Sequence, residues 1–207
     1  MDKLIKIIII SLQILLAGCQ PSNSEDLING VVYDGTTMEP LNNADFYLFT
    51  RDNSFKLSDT IEATTTNETG EFDFMEIFHS SLQYVASAQT LNYFSSSTDV
   101  LVTNGQPNAF IYLDPQAVLK LHIKNELPVY FSEYIHIRIS NLVENKEVFD
   151  FTVLPDSIAT DTTIYALIFG NRYNSLTWDG ESNSDYISKG TSLFCNAFDT
   201  IEYEIAY

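Results

Sequence analysis

The sequence predicts an all-β protein, two consecutive antiparallel β-sandwiches, and three observations carry that expectation. Past the first eighteen residues helical periodicity is almost absent. In its place, short runs rich in Val, Ile, Thr, Tyr and Phe recur roughly every ten to fifteen residues between clusters of Asn, Asp, Gly and Ser. Some runs alternate strictly: Ile135, Ile137 and Ile139 fall on one side while His136, Arg138 and Ser140 fall on the other, as a strand with one buried face requires. Hydrophobic residues make up 45% and aromatic residues 13% of the 207, ample material for packed cores.

Residues 1–18 read as a cleaved signal. Lys3 and Lys6 supply a short basic start, and Ile7 to Leu16 an apolar stretch too short, and too broken by Ser11 and Gln13, for a stable membrane span. The stretch ends in Leu16-Ala17-Gly18-Cys19, which resembles the lipobox of bacterial lipoproteins. Small Ala17 and Gly18 let a peptidase approach the backbone, and the thiol beside the cut accepts a diacylglycerol. The resemblance implies lipidation of Cys19, with several acyl chains holding the mature protein at a bilayer. Residues 19–27, polar and unpatterned, read as an acidic tether. Position +2 is Gln20 and not Asp, so nothing resembles inner-membrane retention, and the outer membrane is the expected location.

Formal net charge is −18, and removal of residues 1–18 makes the chain one unit more negative. Such a surface repels nucleic acid, which is excluded as a partner. With Cys19 lipidated, Cys195 is the remaining thiol, so no intrachain disulfide is expected; its setting in Ser192-Leu-Phe-Cys-Asn-Ala-Phe198 suits a buried, inert side chain.

Strands are expected at 28–33, 44–49, 57–63, 71–77, 83–89, 97–102 and 109–113, then at 118–124, 134–142, 146–154, 162–169, 174–178 and 200–207. So many short strands suit two sandwiches better than one barrel. Asp114-Pro115 is the natural boundary, because proline interrupts strand pairing. That gives sandwiches over 28–114 and 115–207, with no repeat visible between them.

The first half carries a recognisable pattern. Gly30 in a strand, Asp34 leading a turn, Pro40-Leu41, and Ala44 before the next strand are followed by Thr66-Asn-Glu-Thr-Gly70-Glu-Phe72-Asp-Phe74. Residues 28–114 thereby resemble a carboxypeptidase regulatory-like domain, which implies a transthyretin-like, seven-stranded Greek-key sandwich used as an accessory or scaffold module. The residues agree with it: Asp34 can cap its turn through the backbone, Gly70 can take a positive φ, and Phe72 and Phe74 share one strand face. The family name brings no peptidase chemistry, since neither His122 nor His136 has a Glu three residues on and His79 is followed by Ser-Ser-Leu.

No catalytic motif and no metal-ligand spacing stands out, so the chain reads as non-enzymatic. His122 and His136 read as solvent-facing strand histidines. Asp179, Glu181, Asn183 and Asp185 alternate oxygen ligands as a Ca²⁺ loop does but lack the EF-hand glycine and terminal Glu, so a solvated hairpin loop is the stronger expectation. Beside them Tyr173, Trp178 and Tyr186 could form a glycan platform, although Trp178, the single tryptophan, fits a core anchor better. Four Asp-Ser/Thr tripeptides, carrying Thr60, Ser157, Thr162 and Thr200, look like the O-glycosylation acceptor motif of Bacteroidetes and equally like ordinary turns. The expected function is a lipid-anchored envelope module binding a protein or a glycan. A fimbrial subunit exported as a lipoprotein and matured by cleavage at Arg51 is the alternative, and a hydrolase using surface carboxylates a third.

Overall fold

The computed structural model describes residues 25–51, 57–77, 83–103, 106–124, 134–141, 147–153, 161–182 and 185–206. These form strands and no helix. The first sandwich comprises β1 (Glu25–Asp34), β2 (Asp45–Arg51), β3 (Leu57–Thr65), β4 (Glu71–Ile77), β5 (Gln83–Gln89), β6 (Ser96–Asp99), β7 (Leu101–Thr103) and β8 (Gln106–Leu113). The second comprises β9 (Gln116–Lys124), β10 (Tyr134–Asn141), β11 (Glu147–Val153), β12 (Asp161–Phe169), β13 (Arg172–Ser182), β14 (Asp185–Cys195) and β15 (Thr200–Ala206).

The all-β, two-sandwich expectation holds, with four corrections. Sheet β4-β1-β8-β7 packs on β3-β2-β5-β6, and β12-β9-β15 packs on β11-β10-β13-β14. The sheets are not purely antiparallel: β1 runs parallel to β8, and β9 parallel to β15. The run expected at 97–102 divides into β6 and β7, which join different sheets, so the first sandwich has eight described strands where seven were expected. Residues 185–195, to which no strand was assigned from the sequence, form the eleven-residue β14. And although the halves share no visible sequence repeat, β9 to β15 follow the strand order of β1 to β6 and β8. The start of β1 also takes in Glu25 to Leu27, the end of the expected tether.

Each motif residue of the first half has a physical reason. Gly30 lies on β1 between Phe72 of β4 and Ala109 of β8; a Cβ there would sit 1.8 Å from the Ala109 carbonyl oxygen and 2.5 Å from the Phe72 ring. The ring covers the glycine and stacks on Phe46, centroids 3.7 Å apart. Asp34 Oδ1 accepts from the Thr36 N–H and hydroxyl, both at 2.7 Å, and from the Thr37 N–H at 2.9 Å. Thr66 is buried; its hydroxyl donates to the Leu41 carbonyl at 2.6 Å and accepts from the Ala44 N–H at 2.9 Å, tying two connections together. Gly70 holds φ 72°, the left-handed turn expected of it. The side chain of Phe74 lies outside the described residues.

The second sandwich is filled chiefly by aliphatic side chains. Leu119, Leu121 and Ile123 of β9 meet Ile135, Ile137 and Ile139 of β10, all at most 1% exposed. Each such burial contributes about 1.5–3 kcal/mol. Trp178 packs in this core, as expected of an anchor, with its ring 6.0 Å from Tyr203.

The sandwiches meet in a built seam. Only Asp114 and Pro115 separate β8 from β9, and both are clamped: Phe94 N–H donates to the Asp114 carbonyl at 2.9 Å, Gly170 N–H to the Pro115 carbonyl at 2.8 Å, and Arg172 Nη2 lies 2.6 Å from Asp114 Oδ1. Tyr93 packs edge-on against Phe198 at 5.5 Å, and Phe94 against Phe169 at 4.8 Å. Asn171 Nδ2 donates to the Thr36 hydroxyl at 3.2 Å. Tyr93 donates its hydroxyl to Asp34 Oδ2 at 2.9 Å, so the turn cap and the seam share one carboxylate. Among the described residues five non-glycine residues hold a positive φ, and three of them, Asn92, Asn171 and Phe198, lie here. For a ring as large as Phe198 that conformation is strained, and the surrounding contacts hold it.

Candidate functional site

A trough crosses the outer face of sheet β4-β1-β8. Its floor is β1, where the outward residues Asn29 and Val31 are short; its walls are the longer side chains of the strands on either side. Register fixes the arrangement. Val31 lies between Glu71 on β4 and Phe110 on β8, and Asn29 between Asp73 and Asn108. The cavity measures about 420 Å³. One wall is the Phe110 ring, 52% exposed, and the next outward residue on β8 is Tyr112, stacked on Tyr33 at 5.7 Å and 19°. The other wall is Glu71, Asp73 and Asn67.

The polar wall is partly pre-ordered. Glu71 accepts from the Thr69 hydroxyl at 2.8 Å and from the Asn67 amide at 3.3 Å, and these bonds hold its carboxyl below the usual range. Asn67 Oδ1 in turn accepts from the backbone of Thr69 and Glu71, each at 2.9 Å. Among the described residues no Lys, Arg or His lines the trough.

The equivalent face of the second sandwich, on β12-β9-β15, carries a cavity of similar size, about 430 Å³, with opposite chemistry. Its ionisable side chains pair with one another across strands. Lys120 bonds Glu202 at 2.9 Å, and that partner raises the lysine's pKa. His122 lies between Asp161 at 2.5 Å and Glu204 at 3.3 Å, one on each ring nitrogen. On the opposite sheet His136 sits 2.5 Å from Asp150 and 3.9 Å from Asp179. Both histidines are thus partly exposed strand residues on separate faces; among the described residues no group of three or more His, Cys, Asp or Glu is arranged to hold a metal ion. His79 lies outside the described residues.

Of the residues considered for Ca²⁺, Asp179 is 8% exposed on β13 and takes the Arg138 guanidinium at 2.8 Å. The expected loop is a tightly paired hairpin, Glu181 opposite Tyr186 and Ser182 opposite Asp185. The side chains of Glu181, Asn183 and Asp185 lie outside the described residues. Tyr173 and Tyr186 are exposed, but Trp178 is buried, which removes the centre of the glycan platform considered there. Its indole Nε1 is buried with no hydrogen-bond partner among the described residues. Thr60 and Thr200 are exposed and Thr162 half-buried, on β3, β15 and β12, each an outer strand of its sheet; Ser157 and residues 16–19 lie outside the described residues. Cys195 is 3% exposed, and burial together with the nearby Asp199 charge pushes its thiol pKa up. A thiol so placed resists becoming the reactive thiolate.

Sequence reasoning missed the Phe110 trough. Its signal was present: in Ala109-Phe-Ile-Tyr-Leu113 the small and aliphatic residues are buried and the two aromatic ones are out of phase with them. Phe and Tyr inside a strand are ordinarily taken as core, which hid it.

A scan against protein-family models and a search of curated proteins each return no match. Among solved structures, the chain is similar to the minor pilin GBS52 of Streptococcus agalactiae, with TM-score 0.38 and 11% identity over 87% of this chain and 94% of that one. It is also similar to a DUF3823 family protein of Bacteroides uniformis, with TM-score 0.31 and 10% identity over 83% and 99%. A third is the shaft pilin SpaA of Lactobacillus rhamnosus, with TM-score 0.33 and 11% identity over 87% and 97%. No helix of the described residues is long and apolar enough to cross a membrane.

Proposed function

We propose that the chain is a non-enzymatic cell-envelope lipoprotein, anchored through acyl chains on Cys19, whose sandwiches form a surface binding module. The observation that carries the binding part is the open trough, where an exposed Phe110 faces carboxylates that have no basic partner among the described residues. Anchorage rests on Leu16-Ala17-Gly18-Cys19 and on its closeness to the fold: the chain from Cys19 to Glu25 spans at most about 20 Å, so the first sandwich would stand beside the bilayer. The first half would serve as a carboxypeptidase regulatory-like module, and Gln20 after the lipidated cysteine favours the outer membrane.

Exchange of Cys19→Ala tests the anchor. Lipid labelling and membrane retention are expected to vanish together; a variant still labelled and membrane-bound would overturn the proposal. The fimbrial alternative meets a structural obstacle. Arg51 ends β2, and cleavage there would remove β1 and β2, one inner strand from each sheet, with Ile28, Val32, Phe46 and Leu48 of the core.

A further inference from the structure

The trough on β4-β1-β8 has an amphipathic cross-section. A half-exposed ring forms one wall, and hydrogen-bond acceptors form the other. Ionised carboxylates accept only, so a ligand that satisfies Glu71 and Asp73 must bring donors. With no basic side chain among the described residues that line the trough, and a net charge of −18 on the chain, phosphorylated, sulfated or uronic ligands are disfavoured. An extended peptide fits poorly as well. The backbone of β1 is already paired on both sides by β4 and β8, so peptide N–H and C=O groups laid over it would find no ladder to join. A sugar ring has neither problem: its C–H face stacks on an aromatic ring, and its hydroxyls donate to carboxylate and amide oxygens.

From this geometry we infer that the trough binds a neutral saccharide, with Phe110 as the stacking platform and Glu71, Asp73 and Asn29 reading the hydroxyls. Tyr112, one outward position along β8 and about 7 Å away, extends the platform toward a further sugar unit. The volume of about 420 Å³ lies in the range of small-ligand sites and holds a short stretch of chain rather than a whole polymer. This inference rests on the reading of the protein as a binding module and does not depend on the lipid.

The test is affinity electrophoresis of the full-length protein in mild detergent, through gels containing a neutral glucan, mannan, xylan or galactan. Retardation by at least one polymer is expected. Phe110→Ala should weaken it at least tenfold and Asp73→Asn severalfold, while Phe110→Tyr should retain it. Tyr165→Ala, on the equivalent face of the second sandwich, should match wild type. Because Phe110 lies outside the core, an unchanged circular-dichroism melt shows that lost binding is not lost folding. Free migration in all four polymers, retardation unaffected by Phe110→Ala, or binding of polylysine in place of any saccharide would each overturn the inference. The Cys19→Ala chain should keep saccharide binding, which separates failure of the site from failure of the anchor.

Discussion

In the first sandwich an aromatic stack, Phe46 on Phe72, lies beneath a glycine, and the connections are pinned by Asp34, Thr66 and Asn67. In the second the core is mostly Ile and Leu, and the outer faces are laced by cross-strand pairs such as Lys120 with Glu202 and Arg138 with Asp179. The strand order is the same. One topology is therefore reached by two routes: turn chemistry and a close backbone approach in one half, aliphatic alternation and register-specific ion pairs in the other. The difference extends to the equivalent outer faces. On the first, Glu71 and Asp73 have no basic neighbour among the described residues that line the trough, whereas on the second the ionisable groups pair with each other.

The comparison breaks most sharply at Gly30. Gly30→Ala should cost about 3 kcal/mol, because the added Cβ meets backbone at Ala109 and that neighbour cannot give way easily. Denaturant unfolding followed by far-UV circular dichroism would measure it; an unchanged midpoint would show that the close approach does not hold the first sandwich together.

Acid should select the same half. Burial pushes the Asp34 carboxyl up, but bonds from the Thr36 hydroxyl, the Thr37 and Thr36 N–H groups and the Tyr93 hydroxyl outweigh it, leaving the pKa below its ordinary 3.8. The unfolded chain thus binds this proton more tightly than the folded one. The carboxylate's contribution is full above about pH 4 and is lost as pH falls through the lower folded value. Asp34→Asn should flatten the acid limb of the stability profile below pH 4; an identical limb in the variant would exonerate this carboxylate.

The smallest expected effect lies at the seam. Arg172→Ala leaves Asp114 without its 2.6 Å partner and should cost about 1–3 kcal/mol. It should also separate two signals. Trp178, the single tryptophan, reports the second core alone, while circular dichroism reports both sandwiches. The two transitions should coincide in the wild type and part in the variant. Separation already in the wild type would mean that the seam does not couple the halves.

Much of this was legible before the structure. Ile135, Ile137 and Ile139 announced β10, and Asp34 and Gly70 announced their turns, because each signal is local. The parallel pairs were not legible: Asn29 meets Asn108, and Val118 meets Thr200, across long sequence separations that no local pattern encodes. Strand β14 escaped because its outward positions are Ser188, Gly190 and Ser192, residues that ordinarily mark a loop, with Leu193 and Cys195 as the buried positions described. Phe110 escaped for the opposite reason, as a strand residue of the right type on the wrong face.

The parallel pairing of β1 with β8, and of β9 with β15, sets how the molecule carries load. Tension applied between the two ends of the chain pulls β1 by its start and β8 by its finish. Parallel neighbours pulled this way slide along each other, so the bonds of the ladder are strained together and not peeled singly as in a hairpin. The same holds for β9 and β15, which places two shear-loaded clamps in series. Forced extension of a single tethered molecule should meet two such barriers in succession.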